Sequence, residues 1–444
     1  FLIFRLFTIM KTSIVSIALI VAFAIMASAS GGSHSVPTGN LTNVTLLPLN
    51  TSHYIEKLPA RAGNLTIGAL LPLSGSLTLS GQADLAALGM AEQDINDTLS
   101  GAGKELGIKL VVKDTGTDPN TTLSELKDLQ AQGINIVIGP ETSASLSQVR
   151  GYANQNGIIL ISHASIASSL AIANDTTFRL TPDDRQLGIA IADLMHGDGI
   201  RVIIPMDRGD VWGKELLNAT ATAFSSQGGT TMNSILYNPD AGNFSAKIDT
   251  LGKELRDALR GHDNRSVAVY LLSFEEGAMI MSQSQAMNDP ILSSVRWYGG
   301  DGSAVTFSDN PAAARFARMT RFVFPRYGNG RSETFLRLKK RLEREPDTEN
   351  VNVYDALWLA IQTYAAAGSD KSEIFKNMLP KVSDSLMGSY GSLALNAAGD
   401  REFTNYEFLT LESVNGGLQW LPIARYTSGP GLSTLLTSLP SPMS

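Results

Sequence analysis

The chain has 444 residues, a formal net charge of −7, and 43% apolar against 17% charged residues, which excludes a disordered chain and calls for more than one compact core. A surface this acidic repels phosphate backbones, so nucleic acid is excluded as a partner. There is no cysteine, so disulfides, thiolate metal sites, thiol nucleophiles and lipid-modified cysteines are excluded together.

The first feature in chain order is an export signal. Lys11 precedes an apolar run from Ile14 to Met26, closed by Ala27-Ser28-Ala29. Charge, apolar stretch and small residues at alternate positions predict a secretory signal cut after Ala29, with Met10 as the start. An uncleaved membrane anchor is the other reading of the same run. Ten Asn-x-Ser/Thr sequons, from Asn40 to Asn264, agree with a glycosylated exterior surface. Residues 30–62 are rich in Ser, Thr, Gly, Pro and Asn and read as a disordered tether, and residues 427–444 read as a flexible tail.

Between these ends, short β-branched runs alternate with helical stretches. Ile67–Leu73 predicts a strand and Gln82–Leu99 a helix; Lys109–Thr115, Ile134–Ile138 and Ile158–Ser162 predict strands separated by helices over Thr121–Gln132 and Ser145–Asn156. A second series follows Pro182. Its helices are expected over Arg185–His196, Trp212–Gln227, Ala246–Arg260 and Gly277–Met287. Its strands are expected over Arg201–Met206, Thr231–Tyr237, Val267–Leu272 and Val295–Tyr298. Continuous apolar strands imply sheets covered on both faces, and strand–helix repetition implies right-handed βαβ units in parallel sheets. The C-terminal part adds a basic helix over Glu333–Arg344, an amphipathic helix over Val353–Ala367 and antiparallel strands such as Tyr406–Leu411.

In open parallel sheets, ligands sit beyond the carboxyl ends of the strands. In the first block those positions carry Ser80, Ser143, Ala164 and Ser165. Hydroxyls and helix N-termini there suit a carboxylate, because unpaired amides and the helix dipole favour an anion. In the second block they carry Trp212, Ser273, Phe274 and Asp301, which suit an ammonium and an apolar body. Together the two sides suit a zwitterion. Ser143 also reads as a helix cap, Trp212 as core and Asp301 as a turn residue. Catalysis finds no support. The five histidines show no metal-ligand spacing, and there is no Gly-x-Ser-x-Gly elbow, phosphate loop or Gly-x-Gly-x-x-Gly.

Several segments, in order, resemble the leucine/isoleucine/valine-binding receptors of ABC importers, a branch of the type I periplasmic binding proteins. They are Ile67-Gly-Ala-Leu-Leu-Pro-Leu-Ser-Gly75, Ile138-Gly-Pro140 with Ser143, Ile161-Ser162 with Ser165, Phe178-Arg-Leu-Thr-Pro-Asp-Asp184, Tyr298-Gly-Gly-Asp-Gly302 and Tyr354-Asp-Ala356. The resemblance covers Leu65 to Tyr426. It implies an α/β fold of two Rossmann-like lobes, each with a parallel sheet, joined by three crossovers near Pro182, Phe324 and Tyr390. Lobe 1 would then hold residues 63–182 and 324–390, and lobe 2 residues 183–323 and 391–426. It also implies that Ser143 holds a ligand carboxylate, helped by Ala164 and Ser165. Trp212 would cover the ligand and Asp301 would take its ammonium. The pocket departs from the branched-chain pattern at Ser80, Ile166 and Ser273-Phe274, so the implied solute is amino-acid-like, with amides and urea as further classes. The implied partners are that solute and the permease and ATPase of an importer; no cofactor is implied. A sensing domain of the same fold is the alternative function.

Overall fold

The computed structural model describes residues 47–434 except 52, 303, 404, 429 and 430. The expected signal segment lies outside the described residues, as do most of the expected tether and the last ten residues of the expected tail. No helix among the described residues is long and apolar enough to cross a membrane.

Lobe 1 begins with β1 (Leu47–Pro48), then β2 (Arg61–Leu71), α1 (Thr78–Gly101), β3 (Glu105–Asp114), α2 (Pro119–Ala131), β4 (Ile136–Ile138), α3 (Ser143–Gln155), β5 (Ile159–Ser162) and β6 (Thr177–Arg179). Strands β2 to β6 form a five-stranded sheet in the order β3-β2-β4-β5-β6, parallel throughout. Every residue of β4 and β5 is buried, as a strand covered by helices on both faces requires.

Lobe 2 continues with α4 (Asp184–Gly197), β7 (Val202–Asp207), α5 (Val211–Ser226), β8 (Thr230–Thr231), β9 (Ile235–Leu236), α6 (Ser245–Ala258), β10 (Val267–Leu272), α7 (Gly277–Met287), α8 (Pro290–Ser293), β11 (Arg296–Gly299), α9 (Pro311–Met319) and β12 (Val323–Tyr327). The expected strand over 231–237 is split into β8 and β9. The chain then returns to lobe 1 for α10 (Glu333–Leu342), α11 (Glu349–Ala367), α12 (Ser372–Ser383), β13 (Leu386–Gly388) and β14 (Gly391–Ser392). It ends in β15 (Asn405–Val414), β16 (Gly417–Thr427) and β17 (Gly431–Thr434), an antiparallel ribbon that extends the parallel sheet of lobe 2 past β12.

The three crossovers are present, but two lie elsewhere than expected. Phe324 is inside β12 and pairs with Leu409 in the lobe 2 sheet, so the second crossover follows Tyr327. Tyr390 is in the β13–β14 hairpin of lobe 1, and the third crossover comes after it, near Asp400. A fully buried strand carries no local mark of which sheet it joins, so the apolar run around Phe324 does not announce its lobe. The tail expectation is corrected as well, because β17 pairs with β16.

The tether expectation fails at its C-terminal end for a physical reason. Leu49, Ile55 and Leu58 are buried in the lobe 1 core, and Gln362 donates hydrogen bonds to the carbonyls of Leu49 (3.1 Å) and Thr51 (2.7 Å). Three apolar anchors and one buried amide outweigh a polar composition. The helix expected to be amphipathic is corrected too. Helix α11 starts at Glu349 and is buried on all sides from Asn350 to Thr363. Part of its polar load is hydrogen-bonded: Asn352 donates to the carbonyl of His163, and Asp355 accepts from the amide and hydroxyl of Ser389.

The first and third crossovers are fastened by one buried guanidinium. Arg179, at the end of β6 and fully buried, forms a two-pronged pair with Asp400 at 2.5 and 2.7 Å. Its remaining nitrogen donates to the carbonyl of Ala167 at 2.7 Å. Next to it, Arg401 donates to the carbonyls of Leu180, Gly391 and Ser392. Removing one partner of a buried ion pair leaves the other charge uncompensated, at a cost of about 3–5 kcal/mol. Asp400→Ala is therefore expected to destabilise the protein by about that amount in urea denaturation. A loss below about 1 kcal/mol, the range of surface pairs, would show that the clamp is not structural.

Candidate functional site

The carboxyl ends of both sheets face a cavity between the lobes. Lobe 1 contributes Leu77 and Ser80 from the start of α1, Glu141, Thr142 and Ser143 from the turn after β4, and Ala164 from the loop after β5. Lobe 2 contributes Trp212 from α5, Phe274 after β10, and Asp301 and Gly302 after β11. The approach to α11 adds Asp347 and Glu349. The cavity is about 50 Å³, room for a few waters or one small solute and not for a peptide.

Glycine places both turns. Gly139 has φ +93, and a Cβ there would come within 2.4 Å of the Leu70 carbonyl, so no side chain fits where β4 turns into Pro140-Glu141. At Gly302 a Cβ would come within 2.4 Å of the Ser273 carbonyl and within 3.1 Å of the Trp212 ring. Its absence lets the Asp301 turn press against the aromatic wall. That wall is a tilted pair, Trp212 and Phe274, with centroids 4.7 Å apart. Arg208 stacks on Phe274 at 3.7 Å and is paired with Asp210 and Glu276. The Trp212 indole N–H donates to Asp301 Oδ1 at 3.1 Å. Burial pushes the Asp301 carboxyl up to about 6, with the indole hydrogen bond acting against it.

On the lobe 1 side, the hydroxyl of Ser143 is used structurally. Its Oγ accepts from the amides of Ile166 (3.3 Å) and Ala167 (3.2 Å) and lies 3.0 Å from Ser165 Oγ. Thr142 rather than Ser143 caps α3, accepting from the Ser145 amide. Ser143 thus holds the Ala164 loop against the helix N-terminus while still lining the cavity.

Six of the eight residues expected at the site line the cavity: Ser80, Ser143, Ala164, Trp212, Phe274 and Asp301. Two do not. Ser165 is buried behind Ser143, with its carbonyl accepting from Thr181. Ser273 faces the first turn of α7; a Cβ on Gly277 would come within 2.2 Å of its Oγ. Glu141, Asp347 and Glu349 were not expected. Glu141 had a signal, its place in the Gly-Pro turn. Asp347 and Glu349 had none, because acidic residues at the start of a helix are ordinary.

Behind Glu141 lies a charge cluster that scattered histidine positions do not reveal. His163 Nε2 is 3.0 Å from Asp84 Oδ2 and 3.9 Å from Glu141 Oε2. Asn350 donates to Asp84 (2.9 Å) and to Ser80 Oγ (2.8 Å), and Ser80 donates to Glu141 Oε1 at 2.8 Å. Burial disfavours the imidazolium, but the Asp84 carboxylate, with Glu141 behind it, outweighs burial and raises His163 from 6.5 to about 10. Burial and the Asp84 charge push Glu141 up to about 8. The three ligand-type groups lie within 4.8 Å of one another, close enough for a metal. Their closest approach is that of a hydrogen-bonded ion pair, and neither His163 nor Asp84 lines the cavity.

The lobes touch on both flanks of the cavity. The Ser80 amide donates to Glu275 at 3.2 Å. The Ser168 hydroxyl (3.1 Å) and the Ser169 amide (2.8 Å) donate to Glu215, as does the Ser169 hydroxyl. These contacts bridge the two lobes beside the cavity.

Two lobes, each built on a parallel sheet and meeting over one small cavity, define a bilobal solute-binding protein. The chain belongs to the periplasmic binding protein family, whose sequence profile matches residues 64–409. It is 30% identical over 363 residues to an uncharacterized protein of Methanocaldococcus jannaschii, covering 77% of this chain and 85% of that protein. It is 26% identical over 206 residues to a Leu/Ile/Val-binding protein of Rhizobium johnstonii, covering 45% of this chain and 55% of that protein. Among solved structures, it superposes with TM-score 0.64 and 22% identity on the branched-chain amino acid transporter substrate-binding protein LivJ of Streptococcus pneumoniae, in complex with isoleucine, over 81% of this chain and 99% of that one. It superposes with TM-score 0.68 and 16% identity on an ABC transporter solute-binding protein of Rhodopseudomonas palustris in complex with 3,4-dihydroxybenzoic acid, over 82% of this chain and 98% of that one. At these identities the structural likeness shows the fold and leaves the solute to the site's own chemistry.

His163 gives a stability test. Its folded pKa lies above its unfolded value, so its contribution is complete below pH 6.5 and is lost as pH rises through about 10. His163→Ala leaves Asp84 buried without its charge partner and is expected to cost about 3–5 kcal/mol near pH 6. Urea denaturation across pH 6 to 10 should show the gap between wild type and variant narrowing. A gap that stays constant to pH 10 would mean the imidazole is neutral in the fold.

Proposed function

We propose that this protein is the extracytoplasmic receptor of an ABC importer. It captures an amino acid or amino-acid-like solute between its lobes and presents the closed form to a permease–ATPase complex. It is not an enzyme. Hinge closure around the solute reports occupancy to the importer. The supporting observation is the opposed polarity of the cavity. Asp301, set by the Trp212 indole, faces the cavity from lobe 2. The N-terminus of α3, with Thr142 and Ser143, faces it from lobe 1. A helix N-terminus favours a carboxylate and a buried aspartate favours an ammonium, so a zwitterion satisfies both.

In this reading Asp301 pairs with the ammonium, Trp212 and Phe274 enclose the solute body, and Ala164 and Ser143 shape the carboxylate end. Ser165 and Ser273 act from behind the wall. A benzoate-type solute, as in the Rhodopseudomonas palustris structure, fits less well. It has no cation for Asp301, and among the described residues none that lines the cavity is basic.

Calorimetry on the whole chain tests this. Asp301→Ala is expected to abolish amino-acid binding while the melting temperature of the unliganded protein stays nearly unchanged. Unaltered binding would remove Asp301 from the ligand shell. In wild type, Asp301 with its pKa at about 6 must lose its proton before it can pair with an ammonium. Affinity should therefore be flat above pH 7 and weaken below pH 6, approaching about tenfold per pH unit. Affinity independent of pH between 5 and 8 would contradict the ammonium role.

A further inference from the structure

We propose that Arg208 is a specificity-determining residue that acts through Phe274: it holds the aromatic wall of the cavity in place and so sets how long a solute side chain the cavity admits. The inference rests on the amino-acid reading above and adds the residue that decides side-chain length.

Trp212 and Phe274 both line the cavity, with ring centroids 4.7 Å apart. Trp212 is restrained at three points. Its indole N–H donates to Asp301, and a Cβ on Gly300 or Gly302 would come within 3.0 or 3.1 Å of its ring. Phe274 lies in the connection between β10 and α7, where no strand ladder sets its direction. The backbone at Gly302 passes close to it, since a Cβ there would come within 2.6 Å of the ring. The Arg208 guanidinium lies 3.7 Å from the ring centroid.

Arg208 is itself fixed. It sits in the turn between β7 and α5, with a side chain 6% exposed. Its Nε donates to Asp210 Oδ2 at 2.6 Å and its Nη1 to Glu276 Oε1 at 3.0 Å. Asp210 in turn accepts the Gly213 amide at the start of α5 (2.9 Å), and Glu276 Oε1 accepts the Tyr237 hydroxyl (2.9 Å). Acceptors on two different nitrogens fix the plane of a guanidinium as well as its position, and a planar cation stacks on an aromatic face.

Arg208 is not among the residues that line the cavity, so it reaches the solute only through the ring it holds. A buried ion pair stabilises a fold no better than apolar packing of the same volume, so its use behind a cavity wall points to geometry rather than stability. With the wall in this position the cavity is about 50 Å³, room for a few groups of water size. Each further methylene on a solute needs the Phe274 ring to yield, and the clamped guanidinium resists that movement.

The test is titration calorimetry of the full chain with L-alanine and L-leucine as probes. Arg208→Ala is expected to shift the ratio of the two affinities toward L-leucine by about fivefold or more, since one methylene in a pocket is worth about tenfold or more in discrimination. Phe274→Ala is expected to shift it the same way. Added to Phe274→Ala, Arg208→Ala is expected to shift it by less than about twofold, because a residue that acts through the ring then has nothing to hold. A role in stability alone would weaken both solutes equally and leave the ratio unchanged. Arg208→Lys keeps a charge beside Asp210 and Glu276 but loses the planar face. It should shift the ratio in the same direction, and it keeps the test open if the alanine variant fails to fold. In the unliganded protein labelled with fluorotryptophan, the Trp212 fluorine resonance, assigned by Trp212→Phe, is expected to move in Arg208→Lys while those of Trp297, Trp358 and Trp420 stay. A ratio unchanged in a folded Arg208 variant, a full shift that persists without the Phe274 ring, or an unmoved Trp212 resonance would overturn the inference and leave the amino-acid reading standing. Binding of neither amino acid by the wild type would overturn both.

Discussion

The buried guanidinium of Arg179 ties together parts of the chain that lie far apart in sequence. It terminates a lobe 1 strand, grips Asp400 in the returning crossover, and holds the carbonyl of Ala167. The loop it holds runs from His163 to Ala167 and carries Ala164 to the cavity. Ser143 grips the same loop from the other side through the amides of Ile166 and Ala167. The ligand-facing backbone is thus fixed between a helix N-terminus and an ion pair. A binding loop held this way loses little freedom when a solute arrives, and preorganisation of that kind favours affinity for a small ligand.

Both lobes pair buried charges internally: Asp84 with His163 and Arg179 with Asp400, and Arg208 with Glu276. At the cavity Asp301 accepts the indole N–H of Trp212, and Glu349 Oε1 makes no hydrogen bond among the described residues. The same burial that makes these acids costly in the empty protein makes them strong toward a cation, because low dielectric strengthens any charge interaction that does form. Further carboxylates bridge the lobes. Glu275 and Glu215 reach from lobe 2 to amides of lobe 1, so the lobes have contacts of their own beside those a solute would add.

Much of the fold was legible because periodicity is local. Strand 267–272 and helix 277–287 fall where the apolar pattern puts them. The Gly-Pro turn and the Gly-Gly-Asp-Gly turn announced Ser143 and Asp301, since glycine marks places where the backbone must approach closely. What misled was equally physical. Composition made residues 47–62 look like tether, although three apolar anchors suffice to dock them. A fully buried strand at Phe324 and a helix buried on all sides from 350 to 363 do not say which sheet or face they join. Ser273 and Phe274 are neighbours, and only the packing of α7 decides that Phe274 looks into the cavity.

By itself the sequence determined an α/β chain of two strand–helix series, an acidic and cysteine-free surface, and turns with hydroxyls on one side and an aromatic and an acid on the other. These follow from residue type and short-range spacing. Only the tertiary structure decided that Glu141 and Glu349 line one cavity with Asp301, that His163 belongs to a buried ion pair, and that Ser143 braces a loop. Each of those depends on contacts between residues far apart in the chain, and in a parallel-sheet fold they form only where crossovers bring strand ends together.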